Sequence, residues 1–173
     1  MSFQNPNTIH LSVLAALSLF VLAGCERAGE QTTTLPSAPS FTLGSGAAST
    51  PLAIGGLDAV HVHTAFGDFR VELKVSDSAD VRSSSGTIQP GGYNGWHSHP
   101  GLGIVVVTAG TLTLFDTNCV PMVQPTGTAF IEQAENVHIA RNLGTVPAQF
   151  IATFIIPRGA APRVDAPDPG NCP

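Results

Sequence analysis

His97 and His99 stand one residue apart in the stretch Gly92–Gly110, GYNGWHSHPGLGIVVVTAG. Alternate residues of a strand point to the same face, so the pair presents both imidazoles on one side. Neutral imidazole is the commonest metal ligand, and two rings from one strand can take adjacent positions on an ion at ~2.1 Å. A third ring must come from elsewhere, and His138, within NVHIARN, is the candidate. A second HxH, His61 and His63, lies on an earlier run and reads as a solvated strand face or an edge that pairs with a neighbouring chain. Tyr93 and Trp96 are the only Tyr and Trp, and both stand just before the pair. Their rings suit a pocket mouth, or Trp96 fills a barrel end.

The elements that must position these residues are strands. Phe69–Val75, FRVELKV, alternates strictly, with Phe69, Val71, Leu73 and Val75 on the face expected to be half-buried. Ala59–Ala65, Gly86–Gln89, Gly103–Thr108, Thr111–Asp116, Thr128–Glu132, Asn136–Arg141 and Gln149–Pro157 also read as strands, and Ser76–Ser85 as a polar turn. No helical apolar period is sustained outside the N-terminal run. With 18 Gly and 14 Pro in 173 residues, the chain turns often, and the pattern predicts an all-β sandwich or barrel. A net charge of -5 leaves no basic surface for a phosphate backbone, so nucleic acid is excluded as a partner.

Two motifs in order give a more specific reading. Gly92, His97, His99 and Gly110 resemble the first motif of the cupin superfamily, and Gly127, His138 and Asn142 the second. The resemblance spans about Leu57–Pro157 and implies a single cupin domain, an antiparallel β-barrel of jelly-roll type. It implies that His97, His99 and His138 hold a divalent transition metal: iron, zinc, manganese, nickel or copper. Gln133 and Glu135 replace the Pro and Gly of the second motif, and Gly103 stands where the first has a glutamate ligand. Three histidines with open positions are a known arrangement for catalytic zinc. Glu132 or Glu135 could supply a replacement carboxylate, but a strand end and the turn after it are ordinary places for solvated acids. Asn142 reads as a turn or backbone anchor. A pocket whose histidines only hydrogen-bond is the alternative to a metal site.

The ends of the chain point to export. Leu11–Ala23 is an apolar run too short to span a bilayer, and reads as the core of a secretory signal over residues 1–24. Leu22-Ala23-Gly24-Cys25 resembles the lipobox of bacterial lipoproteins, which implies lipid on Cys25, although no Lys or Arg precedes the run. Glu26 after the cysteine implies the outer membrane of the cell envelope. Residues 25–51 read as a flexible tether, 52–158 as the barrel, and 159–173 as a Pro-rich tail. Cys119 and Cys172 remain as an even pair; if bridged rather than free, they tie that tail to the domain. The expected function is metal binding, with either metal-dependent catalysis on a small molecule or non-catalytic ligand binding. A homodimer is implied by the resemblance.

Overall fold

A computed structural model of the chain describes residues 44–172. The signal run, Cys25 and most of the tether lie outside the described residues. The described part is all-β: β1 (Ser45–Leu57), β2 (Val60–Phe66), β3 (Phe69–Val75), β4 (Ala79–Tyr93), β5 (His97–Ser98) and β6 (Leu102–Ala109), then β7 (Thr111–Asp116), β8 (Pro121–Pro125), β9 (Ala129–Glu132), β10 (His138–Arg141), β11 (Ala148–Pro157) and β12 (Val164–Asp165). All pairings are antiparallel. One side of the barrel runs β1-β4-β11-β6-β9, the other β12-β5-β10-β7-β8, and the two join where Arg141 of β10 pairs with Tyr93 of β4. The result is a nearly closed antiparallel barrel of cupin type.

Alternation decides what enters the barrel. On β6, Gly103, Val105 and Val107 face inward, while Ile104 and Val106 face out. On β10, Ala140 joins Ile88, Val107, Leu112, Leu114 and Ala148 in an interior cluster. Ile139 points the opposite way and is still fully buried, packed with Trp96, Phe115 and Ala166. Ala166 belongs to the tail, which therefore covers the outer face of β10 and β7. Trp96 fills this second cluster rather than a pocket mouth.

Three segments differ from the expectations above. Residues 45–51, assigned to the tether by composition, begin β1, which pairs with β4 from Ser45↔Tyr93 to Leu57↔Ala79. Most of Ser76–Ser85, read as a turn, lies in β4, which is bonded on one edge to β1 and on the other to β11. Pairing on both edges outweighs the weak strand preference of a serine run. Phe69–Val75 forms the expected strand, but only Leu73 and Val75 of its apolar face are part-buried. β2 and β3 make a separate two-stranded sheet, and Phe69 and Val71 are exposed.

The tail is fixed at several points. β12 pairs with β5 through Val164↔Ser98 and Asp165↔His97. Ala166 donates its backbone N–H to Trp96 O at 3.0 Å. Cys119 and Cys172 form a disulfide with Cα atoms 5.1 Å apart. Asn142 ties the end of β10 to its surroundings. Its Nδ2 donates to Ile88 O and Val146 O, both at 2.8 Å, and its Oδ1 accepts from Gly144 N at 3.0 Å.

Candidate metal centre

Strand pairing brings the three histidines together. His97 on β5 is paired directly with His138 on β10, so their side chains share a face. His99 follows one residue beyond β5. All three are buried, at 4%, 4% and 6% exposure for His97, His99 and His138. Their ring centroids are 4.5–5.3 Å apart, and one donor atom from each lies within 4.8 Å of the others.

Each ring is held from behind. His97 Nδ1 meets Gly95 O at 2.8 Å, His138 Nδ1 meets Asn136 O at 2.9 Å, and His99 Nδ1 bonds to Pro162 O of the tail. A carbonyl oxygen only accepts, so each Nδ1 carries the hydrogen. In the neutral ring that leaves Nε2 with its lone pair, the tautomer that ligates through Nε2. Burial, with the His138 charge next, pushes His97 down to about 3, so it is neutral near neutral pH.

Glu132 completes the cluster. Its Oε2 lies 3.2 Å from His99 Nε2 and its Oε1 3.2 Å from His138 Nε2. Neither nitrogen makes an aligned hydrogen bond, and both are buried without a partner of that kind. Burial pushes the Glu132 carboxyl up, but the His138 and His99 rings outweigh it and hold the group down to about 2. For His138, burial opposes and the Glu132 carboxylate prevails, raising the ring above its ordinary value. The expectation of a solvated Glu132 is thus corrected. In register Gly103↔Glu132, β9 lies beside inward-facing Gly103, and antiparallel partners share a face, so Glu132 is turned into the barrel. Glu135 remains in the exposed turn, where its backbone N–H donates to His99 O at 2.9 Å.

The donor set fits a divalent metal. Three buried imidazoles with fixed tautomers bring one ligand atom each within 4.8 Å of the others, with the Glu132 carboxylate beside two of them, an arrangement that a cation stabilises. The site has an open side. A cleft of about 450 Å³ reaches His97 and His99 and is bounded by Ala48 of β1, Phe150 and Phe154 of β11, and Arg163 of the tail. A smaller space of about 50 Å³ lies inside the barrel between the rings and Glu132. The second HxH is elsewhere. His61 and His63 are exposed on β2, with His61 Nε2 2.6 Å from Glu72 Oε1. Tyr93 lies under the Arg141 guanidinium, 5.8 Å from ring centroid to Cζ, away from the cleft.

Residues 85–154 match the family model described as a cupin domain, a span that holds all three histidines, Gly103 and Glu132. The matched segment of the barrel is thus similar to a cupin domain. No curated protein matches the chain. Among solved structures it is similar to an uncharacterised conserved protein with a double-stranded β-helix domain from Klebsiella pneumoniae, at 18% identity and TM-score 0.45, covering 63% of this chain and 84% of that one. It is also similar to a cupin domain from Bordetella pertussis, at 20% identity and TM-score 0.40, covering 57% and 93%. A predicted oxalate decarboxylase from Thermotoga maritima gives 18% identity and TM-score 0.40, covering 47% and 83%.

Proposed function

We propose that this chain binds a divalent transition metal through His97, His99 and His138 and acts on a small molecule in the adjoining cleft. The observation that carries the reading is the buried three-histidine cluster, each Nδ1 bonded to a backbone carbonyl so that Nε2 is left to ligate. A bound ion would supply Lewis-acid or redox chemistry at the closed end of the cleft. The chain's own contribution is orientation and exclusion of water. Gly95, Asn136 and Pro162 fix the rings, Phe154 stacks on His99 with centroids 4.4 Å apart, and Phe150 walls the cleft.

One observation favours a second reading, a non-catalytic module that binds a metal or small ligand. Among the described residues that bound the cleft and the barrel interior, the carboxylates are Glu132, set against two rings, and Asp165, 2.6 Å from Arg163 Nε. Neither stands free as a general base. The rest of the proposal concerns location and assembly. Lipid on Cys25, supported by the Leu11–Ala23 run and the residues before the cysteine, holds the domain at the bacterial cell envelope. A disulfide suits that compartment. The exposed apolar face of β2–β3 supports a homodimer.

Metal analysis of the full chain tests the central claim. One divalent ion per chain, lost in His97→Ala, is expected; absence of stoichiometric metal, unaffected by that substitution, overturns it. Turnover of a small molecule that disappears with the metal excludes the non-catalytic reading. Mass spectrometry of the mature N-terminus tests the lipid.

A further inference from the structure

We infer that Glu132 of β9 is the carboxylate ligand of this metal site, taking from the neighbouring strand the place that Gly103 leaves open on β6. The inference rests on the metal-binding reading above and adds a ligand to it.

Register makes the substitution possible. Gly103 and Glu132 are direct antiparallel partners, so a side chain at either position enters the barrel from the same row. That row has room for one carboxylate arm. A Cβ built on Gly103 would lie 3.2 Å from the Glu132 Cβ and 2.8 Å from Cε1 of Phe154, which pairs with Gly103 from the other side. Phe154 in turn packs on His99. The glycine is thus the space that Glu132 and Phe154 occupy, not a ligand simply missing.

Distances and partners agree. Two donors each ~2.1 Å from one ion are ~3.0 Å apart at a right angle and ~3.4 Å apart at the tetrahedral angle. Glu132 oxygens lie 3.2 Å from His99 Nε2 and 3.2 Å from His138 Nε2. Among the described residues no Lys or Arg pairs with Glu132, and its two oxygens face the two ring nitrogens. A carboxylate that is 11% exposed, with only two imidazoles beside it, is a ready partner for a divalent ion.

The test is Co²⁺ binding to the full chain, read as affinity by competition and as the visible absorption of the bound ion. Three substitutions are compared with wild type: Glu132→Gln, which keeps shape and loses charge; the exchange Gly103→Glu with Glu132→Gly; and Glu135→Gln as a control in the adjacent turn. Glu132→Gln is expected to weaken Co²⁺ by more than about 10- to 100-fold, the range that outer-sphere partners of a metal already cost, and to change the spectrum. The exchange is expected to recover little of the affinity, since the Phe154 ring still crowds position 103, and Glu135→Gln to show none of the loss. Should the amide fail to fold, Glu132→Asp keeps the charge on a shorter arm, and about tenfold weaker binding is expected. Wild-type affinity and spectrum in Glu132→Gln, or in Glu132→Asp if only that variant folds, overturn the inference while leaving the three-histidine site in place. No Co²⁺ binding by the wild-type chain overturns both.

Discussion

The chain contains the same three-residue chemistry twice, and the two copies have opposite fates. His61 and His63 lie on β2, His97 and His99 on and just after β5, and both pairs have the spacing that puts two rings on one face. The first pair is exposed on a two-stranded sheet that bonds only to itself, and its one close partner is Glu72 on β3. The second is roofed by β10, β9 and the tail, which bring a third imidazole, a carboxylate and the carbonyl behind His99. Spacing aligns two rings. Closure by distant segments brings the third ring, fixes the His99 tautomer and buries the pair, and closure makes a site.

The largest difference between the pairs should be in metal affinity. His97→Ala or His138→Ala removes a ligand from a buried cluster and should lower affinity by a thousandfold or more, about 4 kcal/mol at the usual 1.4 kcal/mol per decade. His61→Ala with His63→Ala should leave it within about twofold. Competition titration with Co²⁺ measures both. Equal losses at the two pairs would break the contrast.

The tail sharpens it. Pro162 O holds His99 Nδ1, β12 pairs with β5, and Cys172 is bonded to Cys119 across a separation of 53 residues. Opening a loop of that length costs about 4 kcal/mol in the chain-entropy model. Cys119→Ser with Cys172→Ser should lower unfolding free energy by up to that amount in urea titration. It should also weaken metal binding by up to about tenfold, since the carbonyl behind His99 is then less firmly held. Lower stability with unchanged affinity would show that β12 alone keeps Pro162 in place.

How legible all this was depends on how local the cause is. Alternation within β6 and β11 and two short motifs carried the barrel and the three histidines, because each signal lies within a few residues. Glu132 was named but read as solvated, because its inward face follows from pairing with Gly103, almost thirty residues away. One signal was available. Phe130 and Glu132 are in phase on β9, and Phe130 packs on the core, so Glu132 must point the same way. Composition alone reads residues 45–51 of β1 as tether and 159–173 as a Pro-rich tail, since Ser, Gly and Pro hide a strand whose partner is remote. The strict alternation of β3 misled in the other direction: period two shows that a strand has an apolar face, not that anything covers it.

Acid should also probe the buried cluster. In metal-free protein His97 is held at about 3 by burial, against an ordinary 6.5. Between those values the unfolded chain binds a proton that the native ring refuses, so stability falls as pH drops from 6.5 toward 3. Glu132, held at about 2 against 4.5, adds a loss of the same sign as pH falls from 4.5 toward 2. His138, raised, acts oppositely: its contribution is complete below 6.5 and is lost as pH rises through its folded value. The urea midpoint should therefore decline below pH 6.5, with a slope of at most about 1.4 kcal/mol per pH unit for each proton. His97→Gln should flatten that limb.

The smallest expected effect lies on the exposed pair's own hairpin. Phe66 and Phe69 close it at 88% and 66% exposure, with Val62 and Val71 on the same apolar face. A lone two-stranded hairpin is marginal in water, so an apolar face on one calls for a cover. Phe66→Ser with Phe69→Ser removes no contact from the barrel core. Barrel stability should change by no more than about 0.5 kcal/mol, the range of ordinary surface substitutions. If a second copy of the chain supplies the cover, the same double variant moves sedimentation from dimer toward monomer while Co²⁺ affinity holds. An unchanged oligomeric state would rule out this face as the dimer contact and leave the hairpin, unlike the barrel, stable without a partner.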